Sequence, residues 1–165
     1  DDGATATWVS EDFDEVGNLP IEPGQGLFVV RKAGASALSF TFTGHVKTGD
    51  TKISVDPGIN VVSVQRAVGA NFKLPASGLD SATAATGVTG APDISAADVL
   101  RIAQANGSLK KYFFYDDGTT KIWVDENFDD TLAAAQELKE GSSFILLRNF
   151  GAAFPWTVPA ETIAP

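Results

Sequence analysis

Short apolar runs separated by turn residues recur along the chain, and they predict strands rather than long helices. In residues 38–43, three apolar side chains alternate with serine and threonine, which is the period of a strand with one buried face. Residues 27–30 and 144–147 are instead apolar at every position and precede an arginine, which predicts strands covered on both faces. The strand-sized stretches are residues 5–9, 26–32, 37–46, 51–55, 60–67, 110–116, 121–125 and 143–149.

Two dipeptides mark chain reversals in the second half of the sequence. Asn106-Gly107 and Asp117-Gly118 are favoured in tight two-residue hairpin turns, whose central positions need positive φ angles. Strands on either side of these turns pair with each other in an antiparallel meander. The predicted strands of this meander are residues 98–104, 109–116 and 120–125.

Helices are predicted to be few and short. Residues 131–141 are rich in good helix formers and end in a glycine, so they predict a helix. Residues 96–104 also match a helix start, because Ser95 and Asp98 fit a capping pair, although a strand is preferred there. Residues 75–95 are small and polar, which indicates a long loop. The chain is therefore predicted to be all-β, a β-sandwich or barrel-like unit with one or two short helices.

The sequence contains an internal half-repeat. Residues 1–9 agree with residues 116–124 at six of nine positions, and the match continues from residues 8–15 to residues 123–130. Further pairs extend the match after one small insertion: Gly24 with Gly141, Arg31 with Arg148, and Gly34 with Gly151. A self-match of this length indicates a duplicated supersecondary unit.

The repeat divides the chain into two parts that are expected to pack as one body. Residues 1–50 form an N-terminal half-unit with the first repeat segment, and residues 51–165 form a complete β unit with the second. Residues 109–116 precede the second segment as a hairpin strand, whereas the first strand of the first segment, residues 5–9, has no such neighbour before it. Its main-chain N–H and C=O groups are therefore expected to need a partner.

Three alternatives satisfy this predicted edge: pairing within the same molecule, a strand from another subunit, or an exposed frayed end. The second alternative predicts head-to-tail self-association. Residues 155–165 contain three prolines and predict an extended arm that lies along a neighbour or along the chain's own sheet. The candidate interface residues are Thr5, Thr7, Trp8, Val9, Tyr112, Phe114 and Trp156.

A family resemblance is carried by the motif at residues 23–31, a Pro-Gly-x-Gly turn that leads into an apolar strand ending in arginine. With the sequences at residues 58–66 and 97–102, this motif resembles an uncharacterised secreted β-protein family of environmental bacteria, whose members carry Pro-Gly-x-Gly-Phe before such a strand. The resemblance covers most of the chain. It implies secretion and a β fold, and the family has no assigned catalytic activity that could be carried over. In the second repeat segment, glutamate and serine replace Pro23 and Gly26.

Composition and charge narrow the range of partners. The 165 residues include 12 Lys and Arg against 21 Asp and Glu, and the formal net charge of -9 would repel a nucleic-acid backbone. Cysteine is absent, which excludes disulfides and thiolate metal sites. No apolar run approaches the roughly 20 residues of a membrane-spanning helix. The start at Asp1 without a methionine favours a mature secreted product, extracellular or on the cell surface.

Residues suited to catalysis are sparse in this sequence. His45 is the only histidine, and neither a nucleophile elbow nor a two-histidine metal motif occurs. Gly24 and Gly26 precede a strand rather than a helix, which does not fit a dinucleotide-binding loop. No cofactor is predicted, apart from calcium, whose oxygen ligands are abundant in two acidic clusters. The candidate calcium ligands are Asp12, Asp14, Asp125 and Asp129, and solvated acidic loops are the alternative.

Aromatic residues support the rival functional prediction. Trp and Tyr rings present an apolar face with a polar edge, so they suit sugar binding as well as packing. The candidates for such a platform are Trp8, Trp123, Trp156, Tyr112 and Tyr115. The sequence therefore predicts an extracellular structural protein that assembles through β-strand and edge contacts without catalysis, and the alternative is a carbohydrate-binding module.

Overall fold

The computed structural model describes residues 9, 12, 17, 20, 24–30, 34, 36, 39, 50–64, 72–80 and 86–158. Nine strands, one α-helix and two 3-10 helices lie in this part of the chain. The strands are β1 (Thr51–Val55), β2 (Gly58–Ser63), β3 (Phe72–Lys73), β4 (Val99–Ala103), β5 (Leu109–Asp116), β6 (Lys121–Asp125), β7 (Glu137–Leu138), β8 (Ser143–Arg148) and β9 (Phe154–Val158). The helix α1 covers Asp130–Ala135, and the 3-10 helices cover Leu74–Ala76 and Ile94–Ala96.

One five-stranded antiparallel sheet forms the larger layer, in the order β2, β8, β4, β5, β6. In this sheet, residues of neighbouring strands lie directly opposite each other. Leu100 of β4 pairs with Leu146 of β8 and with Tyr112 of β5, and all three side chains are buried. Because side chains alternate between the two faces of a strand, this register gives the sheet one continuous apolar face.

The strand pair β1·β9 covers that face. Val55, Phe154, Trp156 and Val158 of this pair belong to one hydrophobic core with the inward side chains of the larger sheet. The rings of Trp156 and Phe144 meet edge to face with centroids 5.6 Å apart. The indole N–H of Trp156 also donates to the carbonyl of Ser77, at 2.8 Å, so this buried polar group is satisfied.

The predicted all-β sandwich is confirmed: the five-stranded sheet, the strand pair β1·β9 and the short pair β3·β7 share one core, together with short helices. The described strands do not close into a barrel, because the larger sheet ends at β2 and β6. Phe113 and Val124, on the opposite face of the larger sheet, pack against Ala91 and Ala97 of the loop before β4. The sheet is therefore covered on both faces at its β5·β6 end.

The predicted helix over residues 131–141 is too long. The helix α1 ends at Ala135, and Gln136 is already extended, at φ -64° and ψ 121°. Leu138 then enters the core as part of β7, which pairs with β3. The side chain of Gln136 accepts a hydrogen bond from the hydroxyl of Tyr112, at 2.6 Å. These tertiary contacts outweigh the helix propensity of the sequence.

The two predicted hairpins are present, but their turns are longer than two residues. Five residues, 104–108, join β4 to β5, and four residues, 117–120, join β5 to β6. The left-handed conformation is adopted by Gly107 and Gly118 alone within these turns. Asn106 and Asp117 instead accept backbone N–H groups with their side chains, and these Asx bonds favour the longer turns.

The remaining predictions concern the C-terminal arm, two strands of the first fifty residues and the alternative helix. The arm predicted over residues 155–165 begins as β9, which pairs with β1 of the same chain up to Val158. The strand predicted at residues 37–46 lies almost entirely outside the described residues, as do residues 5–8 of the first predicted strand. The alternative helix over residues 96–104 is wrong, because β4 occupies most of this segment.

Candidate functional site

The outer edge of β2 is the most unusual surface in the described part of the chain, because the two repeat segments meet there. On its inner side, β2 pairs with β8 of the second repeat segment. Beyond the end of that ladder, Val64 exchanges hydrogen bonds with Gly141 and Ser142, at 3.1 and 2.9 Å. The second segment therefore follows β2 over its whole length.

The first repeat segment attaches to the other side of β2. Gly26 donates its N–H to the carbonyl of Val61, and Ser63 donates to the carbonyl of Gly24, both at 2.9 Å. Gln25 and Val62 form an antiparallel bridge between these bonds. Backbone groups of a strand point alternately to its two sides. The strand β2 is consequently flanked by corresponding parts of both repeats.

Two glycines of the repeat have the same unusual backbone conformation in both segments. Gly24 and its counterpart Gly141 have φ angles of 92° and 67°, and Gly34 and its counterpart Gly151 have 81° and 91°. This left-handed region is readily accessible to glycine and unfavourable for other residues. The agreement supports a shared backbone path at both turns of the repeat.

The contact at Gly26 also needs a residue without a side chain. A Cβ atom at Gly26 would lie 2.7 Å from the hydroxyl oxygen of Ser143 and 3.0 Å from a methyl carbon of Val61. Ser143 is the counterpart of Gly26 in the second segment, so the two repeats touch each other at matched positions. Gly26 therefore allows the first segment to approach the sheet closely.

Beyond Gly26 the two segments differ sharply in burial. Phe144 and Leu146 of β8 are 1% and 0% exposed, whereas their counterparts Leu27 and Val29 are 48% and 54% exposed. Phe28 and Val30 are exposed as well, at 39% and 93%. The prediction that residues 27–30 are covered on both faces is wrong. Their sequence matches a buried strand, but in the described residues no strand pairs with them.

A buried ion pair secures the end of β8. Arg148 and Asp98 are 1% and 0% exposed, and a guanidinium nitrogen lies 2.5 Å from a carboxylate oxygen. The other oxygen of Asp98 accepts the N–H groups of Asn149 and Phe150, at 2.8 and 3.0 Å. The N–H of Thr89 also donates to Asp98, at 2.7 Å. Asp98 thereby fixes the start of β4 to the turn after β8.

The guanidinium of Arg148 is satisfied on its remaining sides. It donates to the carbonyls of Gly87 and Ala152 and to the hydroxyl of Thr89. Its central carbon lies 4.9 Å from the ring centre of Phe154, in a cation–π contact. A buried charge with this many partners is a structural anchor. No group in it is left free to react with a ligand.

The calcium candidates in the second repeat segment have other partners. One carboxylate oxygen of Asp125 accepts the N–H groups of Asn127 and Asp129, and the other lies 3.1 Å from the ammonium of Lys110. Asp129 caps α1 by accepting the N–H of Leu132. Within the described residues, no cluster of three acidic or histidine side chains is arranged to hold a metal. Asp12 is in this part of the chain, whereas Asp14 lies outside it.

The surroundings of Asp125 stabilise its charged form. Burial pushes the pKa of this carboxyl upwards, but the N–H groups of Asp129 and Asn127 and the ammonium of Lys110 outweigh burial and hold the pKa below its usual 3.8. For Lys110, burial lowers the pKa, and the attraction of Asp125 more than compensates, so the pKa is raised. One carboxylate oxygen of Asp125 is therefore paired with the chain's own ammonium group.

Three of the five candidate residues of the aromatic platform are buried. Trp123, Trp156 and Tyr112 are at most 3% exposed and pack in the core. Tyr115 is half-buried, and its ring meets that of Phe128 edge to face with centroids 6.2 Å apart. Phe128 is 53% exposed and has a left-handed backbone, at φ 64°. The rings of Tyr115 and Phe128 form an aromatic surface at the β5·β6 end of the sheet. Trp8 lies outside the described residues.

The candidate interface residues are distributed differently from the prediction. Tyr112, Phe114 and Trp156 are core side chains of this chain, and Val9 is exposed. Thr5, Thr7, Trp8 and the single histidine, His45, lie outside the described residues. Sequence reasoning missed the exposure of residues 27–30. The signal in the sequence was the match of residues 27–30 to β8. A buried strand of this kind needs a neighbour on each side, and only one strand of the β4 type occurs in the sequence.

None of the helices in the described part of the chain combines the length and apolar character that crossing a bilayer requires. Comparisons with protein-family models, with curated proteins and with solved structures found no significant match.

Proposed function

We propose that this chain is an extracellular structural protein that assembles with other units through β-strand contacts and has no catalytic role. The observation that carries the proposal is the row of four exposed apolar residues, 27–30, beside a segment already bonded to β2. Contiguous exposed apolar residues of this kind mark interaction surfaces. The extracellular location is what the resemblance of the sequence to a secreted family implies.

The two edges of the larger sheet differ in how well they are covered. This difference favours the β2 edge, which carries residues 27–30, over the β6 edge as the site of assembly. At the β6 end, Trp123, Val124 and Asp125 are buried, and α1 packs against the strand. Such coverage blocks pairing with another strand. At the β2 end, the first repeat segment bonds to the sheet and then leaves its apolar side chains exposed. Assembly is therefore expected to proceed from the β2 end.

The carbohydrate-binding alternative has weaker support. Three of its five candidate rings lie in the core, so a sugar could not stack on them without opening the sandwich. Tyr115 is committed in part to a hydrogen bond with the carboxylate of Asp117, at 3.1 Å. No feature of the described residues specifically favours glycan binding over packing.

The test compares two substitutions of the same kind. Leu27→Asp places a charge in the exposed segment, and Leu132→Asp places one on α1, where the leucine has nearly the same exposure, 47% against 48%. Burying a leucine side chain contributes roughly 1.5–3 kcal/mol, so Leu27→Asp is expected to weaken self-association about tenfold or more. Leu132→Asp is expected to leave it unchanged.

Sedimentation velocity over a range of concentrations measures this association, and negative-stain microscopy identifies rings or filaments. Circular dichroism of both variants checks that the fold is intact. A wild-type chain that stays monomeric at every concentration would overturn the proposal. Equal association of the two variants would also overturn it, because the contact would then lie elsewhere.

A further inference from the structure

The turn between β4 and β5 contains the only asparagine of the chain that is followed by glycine; the other asparagines precede leucine, valine or phenylalanine. The main-chain nitrogen of the next residue can attack an asparagine side chain, and a side chain on that residue hinders the attack. Both Asn106 and Gly107 are exposed. A Cβ atom placed on Gly107 would meet no heavy atom of the described residues within 4 Å, apart from its neighbours in the chain. The nitrogen of Gly107 is therefore unshielded.

The side-chain carbonyl of Asn106 is held by two hydrogen-bond donors. Its oxygen accepts the hydroxyl of Ser108 at 2.7 Å and the N–H of Ser108 at 3.0 Å. Addition of a nucleophile to this carbonyl places negative charge on the same oxygen. Donors that are in position before the charge develops lower the barrier to such an addition. Ser108 is therefore placed to activate the side-chain amide of Asn106.

We propose that Asn106 is a site of spontaneous modification, at which the folded chain loses ammonia and gains a carboxylate. The nitrogen of Gly107 bonds to the side-chain carbonyl carbon of Asn106 and releases its proton to solvent. The bond from that carbon to the side-chain nitrogen then breaks, and ammonia leaves with a proton from solvent, so a cyclic imide remains. Water opens the imide at either carbonyl and gives aspartate or isoaspartate. Water is the only co-reactant, and the reaction does not depend on the proposed assembly.

The modification changes the turn in two ways. It adds a negative charge to a chain with a formal net charge of -9. Where the imide opens to isoaspartate, it also adds a carbon atom to the main chain between β4 and β5. The aspartate form keeps both bonds from Ser108, because a carboxylate oxygen accepts the same donors. The turn is therefore a place where the chain changes irreversibly with time after synthesis.

One hydrogen bond opposes the reaction. The N–H of Gly107 donates to the carbonyl of Gln104, at 2.9 Å, and this bond must open before the nitrogen can lose its proton. Exposed turns open locally at a lower free energy than the core of a domain. The modification is therefore expected to proceed from the folded state, without global unfolding.

A second turn of the same construction lies at residues 125–129. In both turns, the fourth residue donates its N–H to the carbonyl of the first, and the first donates to the carbonyl of the fifth. The fourth residue has a left-handed backbone in each turn, at φ 82° for Gly107 and 64° for Phe128. Asn127 is consequently the counterpart of Asn106, and both are exposed.

The two turns differ in the two features that favour the attack. The residue after the asparagine carries a side chain in the second turn and none in the first. The N–H of Asp129 donates to the carboxylate of Asp125, at 2.9 Å, whereas the matching N–H of Ser108 donates to the asparagine of its own turn. Asn127 is therefore expected to remain intact under conditions that convert Asn106.

The experiment follows the full folded chain in water enriched in a heavy oxygen isotope, at neutral pH. Peptide mass spectrometry measures the exchange of amide for acid at each asparagine over time. We expect Asn106 to be converted first, with incorporation of solvent oxygen and with isoaspartate among the products, while Asn127 is unchanged. Equal conversion of the two asparagines would overturn the proposal. So would an intact Asn106 after the time in which a short peptide of residues 102–110 is fully converted.

Two substitutions test the two features separately. Ser108→Ala removes the hydroxyl donor and should slow the conversion of Asn106 about fivefold, the effect of losing a single hydrogen bond. Phe128→Gly removes the side chain beside Asn127 and should make that asparagine reactive, and the left-handed backbone at this position favours glycine. A rate for Ser108→Ala that equals or exceeds the wild-type rate would overturn the activating role of Ser108. An inert Asn127 in Phe128→Gly would overturn the role assigned to the missing side chain.

Low concentrations of urea separate reaction in the folded chain from reaction after unfolding. Local opening of an exposed turn releases little surface, so the rate at Asn106 should hardly change while circular dichroism shows an intact fold. A rate that rises in proportion to the unfolded fraction would overturn reaction from the folded state.

Discussion

At the scale of single residues, the pair of Arg148 and Asp98 is the contact on which the most other contacts depend. Both side chains are buried. Each one hydrogen-bonds to backbone atoms as well as to the other side chain. Removing one partner leaves a charge without compensation in the interior, which typically costs about 3–5 kcal/mol. Asp98→Asn or Arg148→Met is therefore expected to lower the free energy of unfolding by about that amount.

Urea unfolding of both single variants and of the double variant measures this effect. The double variant should lose less than the sum of the two single losses, because it leaves no unpaired charge. The exposed pair of Lys111 and Glu126, at 3.2 Å, is the control, and Glu126→Gln should cost less than about 1 kcal/mol. Additive losses at residues 98 and 148 would contradict the expected coupling.

Asp125 gives the fold a dependence on pH at the acid end. Its pKa in the fold is lower than the usual 3.8, so folding favours its charged form. The resulting stabilisation is complete above the usual pKa and is lost as the pH falls through the lower pKa of the folded state. The wild-type free energy of unfolding should therefore fall more steeply than that of Asp125→Asn between about pH 5 and about pH 2.

Chemical denaturation at a series of pH values provides this comparison. The variant Lys110→Gln removes the ammonium but keeps the N–H bonds from Asn127 and Asp129, so it should retain part of the steepness. Parallel pH profiles for the wild type and Asp125→Asn would show that this carboxyl titrates alike in the folded and unfolded chains.

At the scale of elements, local pattern predicted the strands whose side chains alternate and whose ends are marked by turn residues. The bounds predicted for β1 and β6 agree with the structure, and those for β5 and β8 differ by one residue at one end. The strands β3 and β7 were missed. Each has two residues, and they pair only because Phe72 and Leu138 both enter the core. Contacts between distant residues of this kind have no local signature.

The errors at this scale have the same origin. Propensity over residues 131–141 favours a helix, but Leu138 lies in the core, and the helix ends at Ala135. The ring of Trp156, one of the candidate interface residues, packs edge to face against Phe144 in the core. Gly24 and Gly141, which the repeat aligns, both have a left-handed backbone. The repeat does not predict the different burial of the residues that follow them, because burial depends on which neighbouring strands are present.

At the scale of the whole molecule, the two ends of the larger sheet differ. The β6 end is covered by α1, while the β2 end carries the first repeat segment and its exposed apolar residues. A heterologous contact at one end of a sheet propagates in one direction unless the units close into a ring. If the chain assembles as proposed, this asymmetry would set the direction in which further units are added.

The net charge of the chain predicts how the proposed self-association would respond to salt. Two chains with a formal net charge of -9 repel each other, whereas contact between apolar strands is insensitive to screening. The screening length falls from about 10 Å at 0.1 M salt to about 3 Å at 1 M. Self-association measured by sedimentation should therefore strengthen as sodium chloride is raised over this range. The Leu27→Asp variant should remain weakly associated throughout, and weaker association of the wild type at high salt would indicate a contact held by opposite charges instead.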